Sequence, residues 1–99
     1  MERQTKIVCT IGPATESPEM IKRLIKAGMN VARLNFSHGT HEQKKQVIDN
    51  IRKISTELDT PIAILQDLSG PKIRTGRLVS DSSVILQENA EFSLLCLNP

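Results

Sequence analysis

The sequence predicts an α/β fold built on a parallel sheet. Three observations carry the prediction. Short apolar runs rich in β-branched residues recur at about 5–11, 30–36 and 62–68. Two segments with helical hydrophobic spacing separate them. Gly, Pro, Ser and Thr punctuate the junctions. Strand, helix, strand, helix, strand at this spacing is a βαβαβ order with right-handed crossovers. All three strand ends then lie on one side.

Each element has its own signals. Ile7-Val8-Cys9-Thr10-Ile11 reads as a buried strand, stopped by Gly12-Pro13. Ser17 suits a helix N-cap, Pro18 the first helical position and Glu19 the positive end of the dipole. Ile21, Leu24 and Ile25 recur at helical spacing, and Gly28 is a natural stop. The second strand runs from about Asn30 to Phe36. A longer helix is predicted over His41 to Leu58, with Val47, Ile48, Ile51, Ile54 and Leu58 on one face. Thr60-Pro61 breaks it. Ile62-Ala63-Ile64-Leu65 then opens a third buried strand that reaches Gln66-Asp67-Leu68.

Beyond Gly76 the pattern changes, and a domain boundary is placed there. Val84 to Gln87 and Phe92 to Leu97 predict two strands of a hairpin, with a turn at Glu88-Asn89. The alternation is weak, because Leu94 to Leu97 are all apolar. This reading gives 1–76 to an α/β unit and 77–99 to the start of an all-β domain.

Composition excludes several classes. The 99 residues allow one ordinary domain at most. A net charge of +2, from dispersed lysines and arginines, argues against nucleic acid or an anionic membrane as partner. Phe36 and Phe92 are the only aromatics, too few to stack bases. Cys9 and Cys96 lack metal or redox spacing, so reduced thiols and a cytoplasmic location are expected. No apolar run approaches a membrane span, and the N-terminus has no signal-peptide core.

The chemistry-bearing residues gather at the predicted strand ends. Gly12-Pro13, Asn35-Ser37-His38 and Asp67-Leu68-Ser69 converge there by topology alone. Arg33 stands inside a strand, where an unpaired charge is costly, so it implies a negative partner. Asn35 and Ser37 share a face, and Asp67 can join them. One carboxylate with neutral oxygens could hold Mg²⁺ or a monovalent ion such as K⁺. Alternatively, Asn35 and Ser37 cap the next helix while Asp67 pairs with Arg33; spacing alone favours this second account. Arg33 and Arg74 together suggest phosphate, which guanidinium forks grip well. His38 could move a proton, contact phosphate or bond within its loop. Lys72 could reach phosphate or be solvated. No Walker or dinucleotide fingerprint occurs.

Three stretches carry a resemblance: Lys6-Ile7-Val8-Cys9-Thr10-Ile11-Gly12-Pro13-Ala14-Thr15, Gly28 through Gly39, and Asp67-Leu68-Ser69-Gly70-Pro71-Lys72-Ile73-Arg74-Thr75-Gly76. In order and spacing they closely resemble the amino-terminal part of the pyruvate kinase family. The resemblance implies the first three βα units of a (β/α)8 barrel, followed by the opening strands of a small β-barrel lid domain. It implies phosphate transfer from phosphoenolpyruvate to ADP, giving pyruvate and ATP, with Mg²⁺ and K⁺ as cofactors and a homotetrameric parent. By the same resemblance, Arg33 would bind substrate phosphate. Asn35, Ser37, Asp67 and the Leu68 carbonyl would ligate K⁺. Asn35, Phe36, Ser37 and His38 would contribute to the nucleotide site, with Arg74 on the ATP phosphates and Pro13 near the adenine.

Two differences from the family pattern stand out. Many members have Thr and Glu where this chain has Leu68 and Lys72. The first matters little where that position offers its carbonyl. The family's catalytic lysine and Mg²⁺-binding acids belong to later barrel strands, so these residues alone are expected to be inactive. Two rival readings are a non-catalytic module that binds phosphate or nucleotide, and a doubly wound α/β domain.

Overall fold

The structure, a computed structural model, describes residues 3–96. Its elements are β1 (Val8–Ile11), α1 (Pro18–Ala27), β2 (Val31–Asn35), α2 (His41–Glu57) and β3 (Ala63–Asp67), then a 3-10 turn at Val79–Asp81. The three strands form one parallel sheet in the order β1-β2-β3. The predicted βαβαβ order is therefore present.

Local chemistry explains both helices. Ser17 caps α1 by accepting from the Met20 amide, and Pro18 takes the first turn, where its missing N–H costs nothing. Gly28 ends it at φ +119°, a left-handed conformation that suits glycine. At α2, Thr40 and Gln43 form a reciprocal capping box.

One face of the sheet holds the core. Ala32 and Leu34 of β2 are buried with Ile11, Ile62 and Met29 against Ile21 and Ile25 of α1 and Val47, Ile51 and Ile54 of α2. Cys9, Leu24, Ile48, Leu58 and Ile64 pack partly against them. Both helices thus cover the same side.

The other face corrects the sequence reading. β1 and β3 were expected to be buried strands, yet Val8 is 53% and Leu65 43% exposed. Two helices can cover only one face, and the alternate residues Val8, Thr10, Val31, Arg33, Ala63 and Leu65 lie on the uncovered one. Both outer strands also keep a free hydrogen-bonding edge among the described residues.

The predicted hairpin is not formed. No strand is assigned between Leu68 and Cys96; Leu97 lies outside the described residues. Only the turn survives, with Asn89 left-handed and the Ala90 amide donating to the Gln87 carbonyl at 3.1 Å. A two-stranded hairpin without a packing partner is marginal in water. Ile85, Leu94 and Leu95 remain exposed and offer each other no core. The radius of gyration, 19.2 Å, reflects this extended tail; a compact chain of this length has about 13 Å.

Candidate active site

The site grows from the register of β2. Thr10 stands opposite Arg33, and Asn35 stands opposite Asp67. Arg33 and Asn35 share the uncovered face, one same-face step apart. The Arg33 guanidinium reaches both neighbours: Nη1 donates to Thr10 Oγ1 at 3.1 Å, and Nη2 donates to Asp67 Oδ2 as an ion pair. Both partners of this pair are part-exposed, so water screens it.

Beyond β2 the chain turns tightly. Asn35 Oδ1 accepts from the Ser37 amide at 3.0 Å, fixing the turn. The Phe36 amide donates to the Asp67 carbonyl at 2.9 Å, tying this loop to β3. The Phe36 ring packs partly on the core, 6.3 Å from the His41 ring. His38 is exposed on the loop, and its amide approaches the Asn35 carbonyl at 3.4 Å. From the segment after β3, Lys72 Nζ donates to Ser37 Oγ at 3.1 Å. Asn35 and Ser37 do not cap α2, since Thr40 does. The Arg33–Asp67 pair, by contrast, forms.

Comparison with known proteins decides the family. Residues 2–97 match the family described as pyruvate kinase, barrel domain. The chain belongs to the pyruvate kinase family. Pyruvate kinases of Staphylococcus aureus strains USA300 and N315 are each 60% identical over 89 residues, covering 90% of this chain and 15% of the relative. A crystal structure of a pyruvate kinase from Cryptosporidium parvum matches at TM-score 0.72 and 47% identity, covering 77% of this chain and 16% of that one. The chain therefore spans about 15% of the length of the curated relatives it matches.

Within this pyruvate kinase segment, Arg33, Asn35, Ser37 and Asp67 come together. Leu68 follows β3 and is exposed. Arg74 lies farther along an extended, exposed stretch, without a hydrogen-bond or ion-pair partner among the described residues. Pro13 sits apart, in the loop after β1, where it lines an open cleft of about 370 Å³ with Gln43, Gln46 and Asn50 of α2.

Three of the four residues expected to hold K⁺ have a side-chain oxygen already engaged. Asp67 pairs with Arg33, Asn35 Oδ1 takes the Ser37 amide, and Ser37 Oγ takes the Lys72 ammonium. A K⁺ ion at Ser37 would meet the Lys72 ammonium, a like charge. Among the described residues, no group of three or more His, Cys, Asp or Glu side chains is placed to hold a metal ion.

Two contacts escaped the sequence reading. One is Thr10 on Arg33; its signal was position, since Thr10 precedes Gly12 as Arg33 precedes Asn35. The other is Lys72 on Ser37, which joins residues 35 apart and has no local signature.

Proposed function

We propose that these residues form the phosphate-binding wall of a pyruvate kinase, which transfers a phosphoryl group from phosphoenolpyruvate to ADP and yields pyruvate and ATP. The observation that carries this is the Arg33 guanidinium, held at the strand ends by Thr10 and Asp67 beside Asn35 and Ser37. Phosphoryl transfer depends mainly on positioning and on offsetting charge at the moving group. Arg33 does both through N–H donors that its two partners leave free. Arg74 supplies a second guanidinium for nucleotide phosphates. Asn35 to His38 and Pro13 border the nucleotide. In this reading, 1–76 are the opening of a (β/α)8 barrel and 77–99 the start of its lid. The catalytic lysine and the Mg²⁺ ligands come from other strands, so these residues alone would not turn over.

A second reading concerns the monovalent cation. The family expectation is K⁺ on Asn35, Ser37, Asp67 and Leu68. The Lys72 ammonium on Ser37 Oγ favours a built-in cation in its place. An ammonium supplies the same single charge on a tether.

The test uses a full-length pyruvate kinase that carries this segment. Arg33→Lys keeps the charge but loses the fork. Turnover is expected to fall by roughly 10²-fold, as when a preorganised donor to a developing charge is lost. Normal turnover with a lowered melting temperature would reduce Arg33 to a structural partner of Asp67.

A further inference from the structure

The uncovered sheet face carries one more polar side chain with a defined job. Thr10 lies on it, directly opposite Arg33 in the β1–β2 register. Its hydroxyl oxygen accepts from Arg33 Nη1 at 3.1 Å. Asp67 takes Nη2 from the other side. The guanidinium is therefore held by both flanking strands, once at each terminal nitrogen.

We propose that Thr10 is a positioning residue for the phosphate-binding guanidinium of Arg33, fixing its plane and leaving its remaining donors for substrate. The proposal rests on the reading of Arg33 given above. An arginine has five N–H donors in a rigid fork on a flexible stem. One bond to Asp67 alone lets that fork swing about a single contact. A second acceptor on the opposite strand stops the swing. One N–H on each terminal nitrogen and the Nε–H then stay available. The carboxylate tunes charge and the hydroxyl sets orientation, so neither replaces the other. Nothing in the fold itself needs this hydroxyl. Thr10 is exposed, and a β-branched side chain of any polarity would suit its place in the strand.

The experiment uses a full-length pyruvate kinase carrying this segment, with Thr10→Val, Thr10→Ser and Arg33→Lys in parallel. Val keeps the shape and removes the acceptor; Ser keeps the acceptor. Thr10→Val should lower kcat/KM for phosphoenolpyruvate roughly tenfold, the scale of one hydrogen bond to a charged group. The KM for ADP and the melting temperature should stay near the parent's, and Thr10→Ser should restore the kinetics. Normal kinetics in Thr10→Val beside an impaired Arg33→Lys would overturn the proposal and leave the Arg33 reading intact. Normal kinetics in both would overturn the Arg33 reading and the proposal with it. A loss in Thr10→Val that tracks a fallen melting temperature and persists in Thr10→Ser would show a structural role instead. If Thr10→Val is insoluble, Thr10→Ala gives the same comparison against Thr10→Ser.

Discussion

The Lys72 ammonium donates to Ser37 Oγ at 3.1 Å, bridging 35 residues of chain. The bond joins the loop after β2 to the segment after β3. It also sets a positive charge where a monovalent ion was expected.

That placement gives the first prediction. A full-length pyruvate kinase with this segment should turn over about equally in K⁺ and in a bulky organic cation that cannot enter the site. Lys72→Met should lower activity and make it respond to added K⁺, whose neutral-oxygen ligands would then be vacated. A strict K⁺ requirement in the unsubstituted protein would end the built-in-cation reading.

Asp67 supports the second. Asp67→Asn removes the charge facing Arg33 while keeping an oxygen near it. Arg33 would lose its ionic anchor but keep Thr10. The KM for phosphoenolpyruvate should change more than the melting temperature, because exposed ion pairs add little to stability. A large fall in melting temperature with unchanged kinetics would assign the pair to folding instead.

The third concerns the 99 residues alone. Among the described residues one sheet face is bare, both sheet edges are open, and Ile85, Leu94 and Leu95 are exposed. Such surfaces associate. The isolated chain should elute as mixed oligomers, bind a hydrophobic dye and form no ATP from phosphoenolpyruvate and ADP. A monodisperse monomer with a sharp cooperative melt would contradict this.

The fourth tests a cap. Thr40→Ala removes the oxygen that accepts from the Gln43 amide. The first turn of α2 should lose about 1 kcal/mol. Amide hydrogen exchange there should quicken several-fold, with the middle of α2 around Ile51 unaffected. Unchanged exchange at Gln43 would mean that the box contributes nothing.

The parts legible in the sequence were those governed by near neighbours. Ser17, Pro18 and Gly28 announce α1 because capping and turn chemistry act within four residues. The second strand was legible from its apolar run between Gly28 and Gly39, and Arg33 was anomalous in it. The Arg33–Asp67 pair could be named as one alternative, since charge demands a partner. Exposure of β1 and β3 was not legible: an apolar run looks the same whether one face or two are covered. The hairpin failed for a related reason. Its residues have strand propensity, but strands need a surface to pack on, and the exposed residues of 84–96 find none. Thr10 bonds across the β1–β2 register and Lys72 between two loops, so only the folded arrangement reveals them.

The alternation along β2 has a further consequence. Ala32 and Leu34 hold the fold, while Arg33 and Asn35 face the chemistry. Successive positions answer to different demands, so the two roles can be altered separately by substitution but not by changing chain length. Deleting one residue near Val31 would slide every later side chain of β2 to the opposite face. Arg33 would then point among Ile21, Ile51 and Ile54, and Leu34 toward solvent. A frame-preserving loss of a single codon in this strand should therefore be as damaging as losing the segment altogether, whereas the loop at Ala14 to Glu16 should absorb the same deletion far better.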